Sequence, residues 1–159
     1  MTTQQARDDQ PGIRMIAGVS EIADQFDGYL VDLWGCVHNG IEPYPAAVTA
    51  LLELRKRGKS ICMLSNGPRR AVDLIARLDQ MGVPRDAYQH VMSSGEATWN
   101  ALAVRPDAFH QSFGQRCYHI GPSRDISVTE GNGTLIAASI EDADFCLLYT
   151  SPSPRDLAQ

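Results

Sequence analysis

The sequence has too few basic residues for a protein that holds nucleic acid through charge. Its 14 lysines and arginines are outnumbered by 19 aspartates and glutamates, which gives a formal net charge of −5 across 159 residues. A protein that binds DNA or RNA without sequence preference usually presents a basic surface to the phosphate backbone, and no basic stripe runs along this chain. The sequence therefore predicts no nucleic-acid partner.

Long apolar runs are also missing. No segment approaches the roughly 20 apolar residues that a membrane-spanning helix needs. The start of the chain lacks the apolar centre of a signal peptide, and we expect residues 1–19 to form a polar N-terminal tail. The 43% hydrophobic content is ordinary for a soluble domain with one core. These absences predict no membrane partner and a cytoplasmic location.

Histidine and cysteine do not occur at metal-binding spacings. The four histidines include no His-x-x-x-His pair and the four cysteines no Cys-x-x-Cys pair, so a zinc site is not expected. Two cysteines fall within apolar runs, and we expect all four to be reduced, buried thiols of a cytosolic protein. The residues concerned are His38, His90, His110 and His119, with Cys36, Cys62, Cys117 and Cys146.

One acidic residue stands between a short apolar run and a turn that contains glycine. Asp32 follows Leu30 and Val31 and comes shortly before Gly35. In open α/β sheets, ligands bind outside the carboxyl ends of the strands, so a carboxylate in this place suits a nucleophile or a metal ligand. The alternative is an ordinary turn residue at the end of a strand.

A second polar motif ends the next predicted strand. Residues 60–64 lead into Ser65, Asn66, Gly67 and Pro68, at the start of a predicted helix. A serine hydroxyl, free loop amides and the positive end of a helix suit a phosphoryl anion, although alone these residues would be only a turn with a helix cap. Because parallel strands end at one edge of a sheet, the two motifs predict a shared phosphate-binding site.

Apolar periodicity predicts the elements around the two motifs. Helices are expected over residues 44–57 and 68–81, with glycines ending both, and a third strand over 90–92. Ser94 is the expected N-cap of the next helix.

Both motifs resemble those of a known superfamily. The form Asp-x-Trp-Gly-x-x-His-Asn-Gly that begins at Asp32, with the Ser-Asn-Gly-Pro segment at Ser65, is similar to motifs I and II of the haloacid dehalogenase (HAD) superfamily. One bacterial group of class IIA HAD-type hydrolases carries the tryptophan itself. The resemblance implies an α/β fold with a Rossmann-like core of parallel strands and flanking helices over residues 20–100. The start of an inserted class IIA, C2-type cap would follow over 101–145 and screen the site from water. The resemblance implies further strands there, at residues 115–121, 135–138 and 144–148.

The resemblance also implies a reaction and residue roles. It implies a Mg²⁺-dependent phosphatase that acts on a small phosphorylated metabolite, with Asp32 as the nucleophile that forms an aspartyl-phosphate. Trp34 occupies the acid/base position, and its backbone carbonyl together with Asp32 would bind Mg²⁺. His38 is either a residue facing the leaving group or a loop histidine in water. The residues implied to bind the phosphoryl group are Gly35, Ser65, Asn66 and Gly67.

Trp34 leaves two functional interpretations open. An indole has no titratable proton near neutral pH, so Trp34 cannot protonate a leaving alkoxide. In the first interpretation the tryptophan is a trait of the bacterial group and the parent protein is a phosphatase. In the second, the chain is a non-catalytic phosphoryl-ligand-binding or regulatory protein. The sequence makes no prediction of oligomeric state.

The end of the sequence departs from this pattern. Residues 146–159 resemble no HAD segment but match one reading frame of a common sequencing-library adaptor, so we expect a non-native tail on a truncated protein. The alternative is a genuine proline-rich tail. In the family, the motif III lysine and the motif IV acids follow the cap. A fragment that stops before them should be inactive, because Mg²⁺ needs oxygen ligands from several groups, and aggregation-prone through uncovered apolar surface.

Overall fold

The structure is a computed structural model that describes residues 15–149. Most of the N-terminal tail predicted over 1–19, and residues 150–159 of the predicted non-native segment, lie outside the described residues. Within residues 15–149, two three-stranded sheets are formed, each wholly parallel. Parallel strands flanked by helices confirm the predicted α/β, Rossmann-like fold. No helix in this part of the chain is long and apolar enough to cross a membrane.

The first sheet contains three strands in the order of the sequence, and helices connect them. The strands are β1 (Gly28–Asp32), β2 (Ser60–Ser65) and β3 (His90–Ser93). The helices are α1 (Pro45–Lys56), α2 (Ala71–Gln80) and α3 (Ser94–Val104). Proline in the first turn of α1 and two basic residues in its last turn suit the two ends of a helix.

One face of the first sheet carries the core. Ile61 and Met63 of β2 are fully buried, and Leu51 of α1 and Leu78 of α2 pack in the same cluster. Both helices therefore cover the same face, as right-handed crossovers between successive neighbouring strands require.

The opposite face of this sheet is apolar and open. Leu30, Leu64 and Met92 alternate with the buried residues of their strands and are 75%, 43% and 40% exposed. Parallel sheets are normally covered on both faces. An uncovered face of this kind favours association between chains, and the aggregation expected from the sequence stays a prediction.

The second sheet follows α3 and has the order β5-β4-β6. A short helix, α4 (Ala108–Gln111), precedes it, and a 3₁₀ segment, Ser123–Thr129, follows its central strand. The strands are β4 (Arg116–Ile120), β5 (Leu135–Ile136) and β6 (Phe145–Leu148). All three lie within the predicted ranges, and residues 146–148, which the tail interpretation also includes, belong to β6. The predicted domain boundaries and the origin of the tail stay predictions.

Two helix starts differ from the sequence prediction. Helix α2 begins at Ala71 rather than at residue 68, because the preceding loop stays extended and the Ala71 N–H donates to Glu96 of α3 (2.9 Å to Oε2). The N-cap of α3 is Ser93, not Ser94, since the Ser93 hydroxyl accepts from the Glu96 N–H (2.9 Å). Both differences arise where α3 meets the loop after β2.

The prediction that all four cysteines are buried is wrong for three of them. Only Cys117 is buried, and burial raises the pKa of its thiol. Cys62 is half-buried, whereas Cys36 and Cys146 are exposed, because the first lies in a surface loop and the second alternates outward on the edge strand β6. All four are free thiols, as expected.

Gly95 provides a test of how closely α3 approaches the loop after β2. A Cβ at this position would collide with the Pro68 carbonyl and lie 2.6 Å from the Arg69 carbonyl oxygen. Helix propensity alone favours Gly95→Ala by about 1 kcal/mol. We expect the opposite, a loss of about 1–3 kcal/mol in the free energy of unfolding, because backbone must move to make room. Urea unfolding measures this change.

The control lies on the exposed side of the same helix. Asn100 is exposed, so the difference between Asn100→Ala and Asn100→Gly reports the propensity difference without the steric contact. A Gly95→Ala protein more stable than wild type would show that the loop can give way without loss.

Candidate active site

The two predicted motifs end neighbouring strands. In the parallel pairing of β1 with β2, Asp32 is opposite Leu64, so Asp32 and Ser65 lie at the same edge of the sheet. One carboxylate oxygen of Asp32, Oδ1, accepts from the Leu33 N–H (2.8 Å). This bond fixes the exposed carboxylate and leaves the other oxygen for an external partner.

The loop after Asp32 is held by its own backbone. The N–H of Gly35 donates to the His38 carbonyl (2.9 Å), and that of Val37 donates to the Leu33 carbonyl (2.9 Å). Leu33 and Val37 are buried beneath the loop. The Gly35 amide, which the resemblance assigns to phosphate binding, is thus engaged within the loop in this structure.

Trp34 lies across the end of this loop. Its side chain is 56% exposed, and a Cβ at Gly40 would be only 3.3 Å from the indole Nε1. Gly40 also has a φ of +91°, which an L side chain rarely adopts. Glycine is therefore required at residue 40 both for the backbone and to leave room for the indole.

His38 is buried beside Trp34. Only 8% of the residue is exposed, so its interpretation as a loop histidine in water is wrong. The Gly40 N–H donates to His38 Nδ1 (3.0 Å), which places the hydrogen of the neutral ring on Nε2. Burial lowers the pKa of the imidazole, the Arg77 guanidinium lowers it further, and Asp32 partly opposes the shift. Near pH 7, His38 is a neutral hydrogen-bond donor.

The loop after Ser65 is also ordered internally. The Gly67 N–H donates to Ser65 Oγ (3.1 Å), so the serine hydroxyl accepts from the loop and can donate its own hydrogen outward. A Cβ at Gly67 would be 3.2 Å from that oxygen. The Asn66 side chain contacts α3, because its Oδ1 accepts from the Ser94 hydroxyl (2.9 Å).

A cavity of about 520 Å³ brings part of both motifs together. Four of the predicted site residues line it, whereas Asp32, Gly35 and Asn66 do not. No acidic residue lines the cavity. Its polar lining is Trp34, His38, Ser65, Gly67, Arg69, Arg77 and Gln80.

The sequence motifs assign no role to the two arginines that line the cavity, Arg69 and Arg77. Arg77 lies in α2 and donates to the Gly40 carbonyl (2.9 Å), which ties this helix to the loop after Asp32. Arg69 follows Gly67 in the second loop and lines the same cavity. No local motif distinguishes these residues, and only the packing of α2 against the sheet brings Arg77 to the first loop. Together they give the cavity a positive character.

Residues 15–149 do not by themselves form a magnesium site. Mg²⁺ takes roughly six oxygen ligands in octahedral geometry. Among residues 15–149 no group of three or more His, Cys, Asp or Glu side chains could hold a metal ion. Asp32 and the Trp34 carbonyl are the two ligands that the resemblance implies, and other donors would have to complete the site.

A comparison with protein families agrees with the arrangement of the two motifs. Residues 29–134 match the sequence model of the family described as haloacid dehalogenase-like hydrolase. The chain belongs to this family. Both motif loops and the first strand of the second sheet lie within the matched residues. Comparison with curated protein sequences gives no significant match.

Several solved structures have a fold similar to that of this chain. A hydrolase of this family from Brucella suis is 28% identical with a TM-score of 0.73, over 83% of this chain and 46% of its own. A glycerol phosphate phosphatase from Mycobacterium tuberculosis, in complex with calcium, is 25% identical with a TM-score of 0.55, over 86% and 39%. A 4-nitrophenylphosphatase from Thermotoga maritima, 24% identical with a TM-score of 0.62 over 86% and 50%, shows the fold alone. The chain thus spans half or less of the length of these proteins.

The pKa of His38 gives a test of the site's electrostatics. We expect its imidazole to titrate below 6.5, and Arg77→Gln to raise the pKa towards that value because a neighbouring positive charge is removed. Arg77→Lys keeps the charge and is the control. Histidine NMR signals followed against pH, with His38→Gln for assignment, measure both changes.

The same shift has a consequence for stability. Just below pH 6.5 the unfolded chain binds more protons at His38 than the folded chain, so stability should decline as the pH falls from 6.5 towards the lowered pKa. His38→Gln should flatten this part of the profile. A His38 pKa at or above the ordinary value would contradict the placement of the ring.

Proposed function

We propose that this chain is part of a phosphatase that hydrolyses a small phosphorylated molecule, with Asp32 as the nucleophile. One observation carries the proposal, namely that Asp32 and Ser65 end adjacent parallel strands beside a cavity lined by hydrogen-bond donors and two arginines. Family membership supports it, as does the phosphatase activity in the name of the Mycobacterium tuberculosis relative. The lining suits an anion, since it has no acidic side chain.

Because the Leu33 N–H already donates to Oδ1 of Asp32, the proposed reaction begins at Oδ2. This oxygen attacks phosphorus in line, so that a bond from Asp32 to phosphorus forms as the bond to the leaving oxygen breaks. The Ser65 hydroxyl stabilises the charge that develops on the phosphoryl oxygens. Water later attacks the aspartyl-phosphate, which releases phosphate and restores Asp32.

Protonation of the leaving group is the step for which the described residues offer no acid. Trp34 and neutral His38 can donate hydrogen bonds, but neither transfers a proton readily near pH 7. We therefore propose substrates whose leaving oxygen needs little protonation, or a proton supplied by water. We also propose Mg²⁺ as the cofactor of the whole protein, because the Mycobacterium tuberculosis phosphatase is known in complexes with calcium and with magnesium.

A second function is favoured by the placement of Trp34. Its indole lies against Gly40 at the wall of the cavity, and the resemblance assigns the acid/base role to this sequence position. A protein with this wall could bind a phosphoryl ligand without hydrolysing it, as a binding or regulatory protein. The two candidates make opposite predictions about turnover.

The nucleophile assignment is tested by Asp32→Asn in the complete protein. An amide nitrogen fills the same volume but is no nucleophile, so hydrolysis of p-nitrophenyl phosphate should fall by at least about 10³-fold while the thermal midpoint changes little. Asp27→Asn is the matched control, because Asp27 is an exposed carboxylate just before β1. Retained turnover in Asp32→Asn would exclude Asp32 as the nucleophile.

The choice between phosphatase and binding protein rests on Trp34. An aryl phosphate needs little help from an acid, so a phosphatase should hydrolyse it with Trp34 in place. If turnover is absent from wild type and is created by Trp34→Asp, the binding function is correct. Steady-state kinetics on both proteins, with Mg²⁺ present, distinguish these results.

A further inference from the structure

We propose that the buried carboxylate of Asp125, in the 3₁₀ segment Ser123–Thr129, positions Arg69 as an anion-binding residue of the cavity and so strengthens binding of the phosphoryl ligand. The inference rests on the proposed function in one respect, that the ligand of the cavity is a phosphoryl group. It adds a binding residue and a dependence of the site on the segment that follows β4.

The proposal starts from an unusual carboxylate. Asp125 is 2% exposed, and its Oδ1 has no hydrogen-bond partner among the described residues. The nearest cationic atoms are Arg69 Nε at 3.5 Å and Arg124 Nε at 3.9 Å. A buried charge without a hydrogen bond is unfavourable for stability, and replacing such ionic groups by well-packed neutral ones is often neutral or stabilising. Packing alone therefore gives no reason for an aspartate at this position.

Arg69 connects this carboxylate with the cavity. Its side chain is 38% exposed, lies beside Asp125 through Nε, and belongs to the lining of the cavity that contains Trp34, His38 and Ser65. The structure gives the Arg69 side chain no hydrogen bond to any residue in 15–149. A guanidinium carries five N–H donors, so its terminal nitrogens stay available to an anion.

The backbone of Arg69 is fixed independently of this ion pair. The Ser93 hydroxyl donates to the Arg69 carbonyl, and the Gly95 N–H donates to the Gly67 carbonyl (3.1 Å). Because α3 holds the Arg69 backbone, only the side chain of Arg69 can still change direction. Asp125 is the acidic group that lies against this side chain.

The neighbouring Arg70 shows what a purely structural arginine looks like here. Its Nε donates to Glu96 Oε2 (2.7 Å) and its guanidinium stacks on Trp99 at 3.9 Å from the ring centroid. These contacts bind the Arg70 side chain to two residues of α3. Of the two adjacent arginines, only Arg69 lines the cavity.

Charge and positioning predict opposite results for Asp125→Asn. If the carboxylate acted only through its charge, removing it would strengthen phosphate binding, because a negative group near the site repels an anion. If it positions Arg69, removing it should weaken phosphate binding, since the guanidinium is no longer held at the cavity wall. The sign of the change in affinity therefore decides between the two.

The experiment measures the dissociation constant for inorganic phosphate by ³¹P NMR titration of the full chain. We expect Arg69→Gln to weaken binding about tenfold, because a charge-assisted hydrogen bond is lost, and Asp125→Asn to weaken it by a similar factor. The double variant should bind no more weakly than Arg69→Gln, since Asp125 acts through Arg69. Arg69→Lys keeps the charge but loses the planar guanidinium with its several N–H donors. It should therefore bind phosphate more weakly than wild type when Asp125 is present.

Two controls separate positioning from folding. Ser127→Ala removes another contact of the same segment, the hydroxyl donated to Asp73 Oδ2 (2.9 Å), and Arg124→Gln removes the more distant arginine beside Asp125. Both should leave the dissociation constant within about twofold of wild type, because the contacts of these residues are to Asp125 and Asp73 and not to Arg69. Urea unfolding of each variant verifies that the fold is retained.

Each outcome has a defined meaning. Unchanged or stronger binding in Asp125→Asn, or losses that add in the double variant, would overturn the inference. The proposed phosphate site would survive that result if Ser65→Ala still weakens binding. If wild type binds no phosphate, both the inference and the phosphate site proposed for the cavity are wrong.

Discussion

The first turn of α3 presses directly against the loop after β2, and the geometry of the candidate site depends on this contact. Gly95 permits the approach, because any Cβ would occupy the space of the Pro68 carbonyl. Ser93 and Glu96 then bind groups of the loop and of the α2 N-terminus. Residues 66–70 consequently form a loop, in which Arg70 is extended, rather than a first turn of α2. The same contact fixes the backbone at Arg69 and leaves Ser65 at the end of its strand.

The loop after Asp32 is the complementary half of the site. It is closed by its own backbone bonds and by Arg77, which reaches it from α2. Burial and the positive charge of Arg77 keep His38 neutral, and Trp34 lines the cavity at the sequence position to which the resemblance assigns the acid/base residue. In the proposed function, such a site would stabilise a bound anion by hydrogen bonds and positive charge rather than by proton transfer. Its chemistry therefore depends on the leaving group.

The second sheet takes part in this arrangement through the segment that follows β4. Ser127 binds Asp73 at the start of α2, and Asp125 lies beside Arg69. Both contacts are made to the helix and loop that follow Ser65, so the position of the second sheet bears on the phosphate loop. The other face of the first sheet has no such cover, and Leu30 is 75% exposed there. The described residues thus enclose the site from one side of the sheet only.

The sequence by itself determined the strands, the helices and the meeting of Asp32 with Ser65 at one sheet edge. These features follow from local signals, namely apolar periodicity, glycines at helix ends and the parallel pairing that a helical crossover imposes. The tertiary structure decided the burial of His38, the place of Arg77 in the cavity, the start of α2 and the contact of Asp125 with Arg69. Each of these depends on residues more than 20 positions apart in the chain, as with Ala71 and Glu96. Periodicity and turn chemistry describe a residue's own neighbourhood, whereas burial and charge are set by whatever the fold packs against it.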